Sequence, residues 1–448
     1  MTFTQAPHRP SAVGVHGMVA TSSPLAALAG LRALERGGNA CDAALAAAGV
    51  LAVVEPNQCG PGGDLFAIVV RDGEEPVGLN ASGRSPMQPG DQLPEEFGPR
   101  SVTVPGCVSG WHELAGRFSR LGVEAALAPA IETARRGFAV PPKEAALWQE
   151  AWADLEGDAA STFELRGTFR NPAMAETLEL AAAGSFYEGP IAEAIAAVSW
   201  LSLDDLAAHR PEWVTPLRFA YGGHTLLELP PNGQGSIAGW ALESLRSPEP
   251  ADQIAALEAA YARGYATIGD TAYVCAADGE GMAVSLIQSV YYGFGSRALV
   301  PGKGFTLQNR GAGFVLEPGH PNTFAPGKRP FHTIIPAALL GGDDRWKAVL
   351  GVTGGQFQPQ GHVQVVCNLV DRGMDPQAAL DAPRFWLEDD GMVWLEPPLA
   401  HLADALDRRA EVLDIEDEFG NGYVIARGDD GLLWGGSEPR RDGVALGL

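Results

Sequence analysis

Apolar and polar positions follow two different periods along this chain, and the change of period marks its elements. Residues 20–40, ATSSPLAALAGLRALERGGNA, carry apolar positions at helical spacing, with Ser22 or Ser23 as the cap, Pro24 in the first turn and Gly37-Gly38 as the stop. The run CDAALAAAGVLAVV that follows is apolar nearly all round, which predicts a helix packed between other layers. After a turn over residues 56–63, LFAIVVR and PVGLNAS read as strands joined at Asp72-Gly73. Amphipathic spacing makes residues 107–150 mainly helical, and residues 151–215 stay helix-rich and acidic. A strand leads to PPNGQGS at 230–236, and the helices SIAGWALESLR and IAALEAAYARGYA follow, before a break at Ile268-Gly269-Asp270.

From Thr271 the period becomes that of strands. TAYVCAADGEGMAVSLIQSVY predicts a β-hairpin that begins at Thr271 and turns at Asp278-Gly279-Glu280-Gly281. Residues 296–330 are rich in Gly and Pro, and the strand KAVLGVT and the helix VQVVCNLVDRG come after them. There is no internal repeat. A length of 448 residues suggests about three domains, although intertwined sandwich folds exceed that rule.

Composition narrows the function. With 46% hydrophobic and 19% charged residues the chain can bury a large core. A formal net charge of -24 excludes nucleic acid as a partner, because binding phosphates requires a basic face. The N-terminus MTFTQAPHRP lacks the basic and apolar regions of a secretory signal, which points to the cytoplasm. No apolar stretch approaches the ~20 residues that span a bilayer, so no membrane partner is expected. Cys41, Cys59, Cys107, Cys275 and Cys367 are scattered without a CxxC pair and read as reduced, buried small hydrophobes.

Several chemistries have no motif to carry them. Gly60-Pro61-Gly62-Gly63-Asp64 lacks the Lys-Ser/Thr of a phosphate loop and the order of a dinucleotide site, and reads as a turn that needs positive φ. The nine histidines form no HExxH and no close pair, so no metal is expected, and no GxSxG elbow is present. Thr271, taken alone, is an ordinary strand threonine. Alternatively, cleavage of the Asp270–Thr271 bond would free its α-amine, whose pKa near ~8 makes it a built-in base for a hydroxyl nucleophile.

At this point the chain resembles the gamma-glutamyltranspeptidase family, over nearly its whole length and in the family's motif order. The resemblance is carried by GGNACDAALAAAGVLAVVEPNQCGPGGD, SVTVPGCVSGW, LPPNGQGS, DTAYVCAADGEGMAVSLIQSVYYGFGS, PGKRPFHTIIP, DAPRFW and GGSEPRRDGVALG. It implies an α+β fold, a four-layer αββα sandwich of the N-terminal-nucleophile hydrolases, with no organic cofactor and no metal. It also implies self-cleavage into a large piece (1–270) and a small one (271–448) that remain one globular unit, with two such heterodimers pairing as a further expectation. By the same resemblance Thr271 is the nucleophile, Ser289 supports its freed amine, and Gly354-Gly355 form the oxyanion hole, with Phe357 and Gln358 as the other alignment of that glycine pair.

The departures concern the substrate. Ser82 stands where the family has a carboxylate-gripping arginine, with Arg84 two residues on. Gly313 stands where the family has an acid for the glutamyl amine, Arg310 where it has a glutamine, Tyr291 where it has an asparagine, and His332-Thr333 where it has paired serines. Losing that acid would leave an ammonium uncompensated, which disfavours glutathione. Arg310 and Arg84 instead suit a small carboxylate without an α-amine, as in the branch that contains oxamate amidohydrolase. Gamma-glutamyl transfer, cephalosporin-acylase-like hydrolysis, and an unprocessed homologue that only binds a small acid are the alternatives.

Overall fold

Every residue of the helix Ala40–Val54 is buried, as its unbroken apolar sequence requires. Asn39 caps it, accepting from the Cys41 and Asp42 amides while the Asp42 carboxylate accepts from the Asn39 amide. The computed structural model describes residues 9–264, 270–406, 408–413 and 419–448. The helix Ala40–Val54 is clasped between a β-sheet and the helices Pro24–Glu35 and Val123–Arg136.

That sheet has seven strands in the order Val444–Gly447, Gly17–Thr21, Asp270–Asp278, Met282–Tyr291, Asp64–Arg71, Val77–Ala81 and Glu212–Val214. A second seven-stranded sheet runs Ala12–Gly14, Leu433–Ser437, Asn421–Arg427, Trp346–Thr353, Ala337–Leu340, His224–Glu228 and Leu217–Tyr221. Phe66, Ile68, Tyr273, Cys275, Val349 and Ile425 fill the space between the sheets. The helices Gly235–Ser244, Pro250–Tyr261 and Gln358–Val370 cover the outer face of the second sheet, which completes the αββα sandwich.

Strand Asp270–Asp278 shows the layering residue by residue. Ala272, Val274 and Ala276 point to the helical core, whereas Tyr273, Cys275 and Ala277 point between the sheets. By the same parity Thr271 belongs to the layer between the sheets, at its edge.

The structure refines several sequence expectations. Ser23 occupies the cap position of Pro24–Glu35 without a side-chain cap bond, and the Ser22 hydroxyl turns away to donate to Glu55 Oε2 at 2.8 Å. The glycines of residues 60–63 are not there for positive φ; none of them adopts it. They are there for close approach: a Cβ on Gly62 would lie 2.1 Å from the Thr306 carbonyl oxygen, and one on Gly63 2.3 Å from that of Ser289. Residues 151–215 resolve into four short helices, Gly157–Thr162, Pro172–Ala182, Pro190–Ala197 and Leu203–Ala207. The expected break at Ile268-Gly269 and the end of the helix before it lie outside the described residues. The five cysteines are free and buried, and no described helix is long and apolar enough to cross a membrane.

Candidate active site around Thr271

Thr271 lies at the start of a central strand and is 2% exposed. Register places Asp270 opposite Tyr291 and Ala272 opposite Gln288, so two residues, Ser289 and Val290, face Thr271 across a β-bulge. A bulge re-aims side chains at the edge of regular pairing, and here it sets Ser289 and Val290 opposite Thr271. The Thr271 hydroxyl oxygen accepts from Gln358 Nε2 at 3.1 Å. Gln358 is fixed in turn by accepting from the Ile335 amide at 3.1 Å. A donor on Oγ1 stabilises negative charge as that oxygen gives up its proton.

Ser289 leads to a buried cation. Its Oγ accepts from the Tyr291 amide at 2.8 Å and from Arg310 Nη2 at 3.3 Å. Arg310 is 0% exposed; it also donates to Thr333 Oγ1 at 3.2 Å and lies 4.0 Å over the Tyr291 ring. Tyr291 adopts φ of 85°, an unusual backbone for a tyrosine, and stacks on Tyr292 at 4.4 Å. Among the described residues Arg310 makes no salt bridge, and its Nε has no partner. Burial pushes its pKa down to about 10.

The carboxyl electrostatically closest to Arg310 is Asp64, which burial pushes up to about 7 against the pull of Arg310. Asp64 Oδ1 accepts from the Gly83 amide at 3.0 Å and the Gly106 amide at 3.3 Å, while Oδ2 makes no hydrogen bond among the described residues and faces His332 Nε2 at 3.4 Å. His332 packs edge-on against Phe66 at 5.1 Å, and burial holds its pKa well below the usual range, so it is neutral at pH 7.

The glycine pair comes from the second sheet. Gly354 and Gly355 both have positive φ, 113° and 58°, directly after strand Trp346–Thr353. Gly354 lines the same cavity as Thr271, with a volume of about 470 Å³. Gln234 Nε2, from PPNGQGS, donates to the Gly355 and Thr333 carbonyls at 2.9 and 2.8 Å and so ties the glycine loop to the His332-Thr333 segment. Phe357, the other alignment for the first glycine, is instead buried, its ring meeting the backbone at Gly420.

Ser289, Tyr291, Arg310, His332 and Thr333 thus gather in one buried cluster that adjoins Thr271. Arg84 does not join it. Its guanidinium is exposed, pairs with Glu212 at 2.9 Å and donates to the Gly327 carbonyl, so its charge is spent at the surface. Asp270 pairs in the strand directly before Thr271. Sequence reasoning gave no site role to Asp64, Asn421 or Arg441, and considered Gln358 only as a backbone position. The signal for Asp64 and Arg441 lies in the motifs GPGGD and EPRRDG, whereas Asn421 and Gln358 lie in neither.

Comparison with known proteins agrees over the whole chain. The Gamma-glutamyltranspeptidase family profile matches residues 26–264 and 247–448. An oxamate amidohydrolase proenzyme of Klebsiella pneumoniae is 32% identical, over 98% of this chain and 99% of its own. A glutathione hydrolase-like proenzyme of Bacillus subtilis is 31% identical, over 98% and 99%. The crystal structure of a cephalosporin acylase from Bacillus halodurans superposes with a TM-score of 0.91 at 36% identity, covering 100% of this chain and 98% of that one. The chain belongs to the gamma-glutamyltranspeptidase family, as an N-terminal-nucleophile amidohydrolase proenzyme.

Proposed function

We propose that the chain cleaves its own Asp270–Thr271 bond and then hydrolyses the amide of a small carboxylate-bearing substrate through an acyl-Thr271 ester, with an oxamate-like half-amide as the favoured substrate. The observation that carries this reading is Arg310, a fully buried guanidinium that among the described residues makes no salt bridge, joined through Ser289 to the bulge that faces Thr271. An unpaired buried charge is costly, and a substrate carboxylate would relieve that cost bidentately. Tyr291, His332 and Thr333 line the same anchor. In self-cleavage the Thr271 hydroxyl attacks the Asp270 carbonyl carbon, the peptide bond becomes an ester, and water releases residues 1–270 from residues 271–448. The freed α-amine then takes the hydroxyl proton as Thr271 attacks substrate, while the Gly354 and Gly355 amides offer donors to the developing oxyanion.

Glutathione fits less well. Position 313, at the end of the 3-10 turn Arg310–Gly313, is glycine, and a Cβ there would meet only the Phe331 carbonyl at 3.7 Å and the Tyr291 hydroxyl at 3.8 Å. No carboxylate comes from that position to receive a glutamyl ammonium.

The experiment is a panel of oxamate, gamma-glutamyl anilide and a glutaryl amide on processed protein, with acid-quenched mass spectrometry of the 271–448 piece. Oxamate turnover with an acyl adduct on Thr271 supports the reading; turnover of the anilide alone overturns the substrate assignment. Preference for the glutaryl amide favours a second reading, acylase-like hydrolysis, which the 470 Å³ cavity could accommodate. Arg310→Met is expected to lower kcat/KM for oxamate about a hundredfold, about 2.7 kcal/mol, while self-cleavage continues. Sedimentation of processed protein tests whether two heterodimers pair.

A further inference from the structure

The cavity that reaches Thr271 from the exposed side of Glu150 continues into a crevice of about 10 Å³. The two spaces share Gln58, Thr271, Thr353, Asn421 and Arg441 as walls, and Glu144, Tyr423 and Asp442 close the inner one. That volume holds one water-sized group. Three oxygens on its walls, Glu144 Oε1, Asn421 Oδ1 and Tyr423 Oη, have no hydrogen-bond partner among the described residues, on side chains that are 7%, 8% and 0% exposed. All three offer lone pairs, and buried polar atoms of this kind are rarely left unmet by water, a ligand or an ion. The carboxyls of Glu55, Glu144 and Asp442 lie around the guanidinium of Arg441, and because burial raises those of Glu55 and Glu144, each gains its negative charge as its proton passes to an incoming base.

The group that fits is compact, cationic and rich in donors. We propose that this crevice is the seat of the leaving nitrogen as an ammonium ion, which makes the substrate of the Thr271 site an unsubstituted carboxamide. A guanidinium or a substituted amine is too large for the space, so the crevice separates a half-amide that loses ammonia from peptide and anilide substrates. The inference rests on Thr271 being the residue that is acylated.

The atoms balance as follows. The bond from Thr271 Oγ1 to the carbonyl carbon forms as the carbon–nitrogen bond breaks, and the hydroxyl proton passes through the α-amine to the nitrogen, which leaves as ammonia. Ammonia takes one more proton from Glu144 on the crevice wall, whose carboxyl burial and the nearby Glu55 carboxyl hold above the usual range. Water then opens the ester, and the proton of the new acid returns to Glu144. Amide and water become carboxylate and ammonium.

The test titrates processed protein calorimetrically with ammonium chloride, potassium chloride and tetramethylammonium chloride at constant ionic strength. Potassium matches ammonium in size but has no proton to donate. Ammonium is expected to bind at least tenfold more tightly than either competitor. Glu144→Gln should weaken it at least tenfold, and Tyr423→Phe, which removes only the hydroxyl, at least threefold. Equal affinity for potassium, or no ammonium binding, overturns the proposal and leaves the crevice to water. Because the titration uses no turnover, its failure leaves the acyl-Thr271 reading standing, and failure of the amide panel leaves the titration standing.

Discussion

Purified Thr271→Ala protein is expected to run as one 47.0 kDa band on a denaturing gel, with amide turnover reduced by about a millionfold, the size of effect seen when an activated nucleophile is deleted. The unaltered chain should give two bands, and sequencing of the smaller should begin Thr-Ala-Tyr-Val. In the proposed mechanism both losses follow from one oxygen, because the hydroxyl that attacks the Asp270 carbonyl is the one that later attacks substrate. Ser289 cannot replace it. Its hydroxyl is occupied by the Tyr291 amide and Arg310, and as a residue inside a strand it has no free amine to act as base. A Thr271→Ala protein that still splits and still releases ammonia would end the mechanism. An unaltered chain that stays whole after long incubation, with ligand recovered intact, would favour the binding-only alternative.

The sequence made some parts of this site legible and left others closed, for physical reasons. The hairpin at Thr271 stood out because the hydrophobic period changes from that of helices to that of strands, and this is a local property. The helix Ala40–Val54 stood out because an all-round apolar segment has one place to go. Arg310 and Arg84 look alike as sequence, both arginines next to a glycine. The fold distinguishes them by burial: Arg310 is enclosed against Ser289 and Thr333, and Arg84 meets Glu212 in solvent. Gln358 was closed to sequence reading because its contact with Thr271 spans 87 residues and depends on the second sheet facing the first. Local patterning carries no record of such a contact. The Gly62-Gly63 pair reads in the sequence as a φ requirement, whereas the true demand is the close passage of the Thr306 and Ser289 backbone carbonyls, again a long-range fact.

The motifs DAPRFW and GGSEPRRDG, which had no chemical assignment, meet in a buried charge network, and Glu438→Gln is expected to destabilise the folded protein by about 3–5 kcal/mol. Glu438 Oε2 accepts from Arg384 Nη2 at 2.8 Å and from the Gly422 amide at 2.7 Å, and Oε1 accepts from Arg440 Nη1 at 2.8 Å. Arg384 also donates to the Phe419 and Gly420 carbonyls at 2.8 and 2.7 Å. The network therefore anchors the turn that carries Gly420 and Asn421 beside Gly354, where a Cβ on Gly354 would lie 3.0 Å from the Gly420 Cα. Glutamine keeps the shape but leaves Arg384 and half of Arg440 without compensation, although Glu396 still holds Arg440 at 2.7 Å. Burial would raise the Glu438 carboxyl, but the charges of Arg384 and Arg440 outweigh it and hold the carboxyl below its usual range. Its contribution to stability is then fully present above the unfolded value of about 4.3 and is lost as the pH falls through the lower folded value. Urea unfolding at neutral pH should show the lowered midpoint, and the gap between the two proteins should narrow in acid. Adding Arg384→Met to Glu438→Gln removes the stranded cation as well and should recover part of the loss, since the two positions share one interaction. A single variant within about 1 kcal/mol of the parent, with self-cleavage at the normal rate, would mean that the turn is held by its backbone alone.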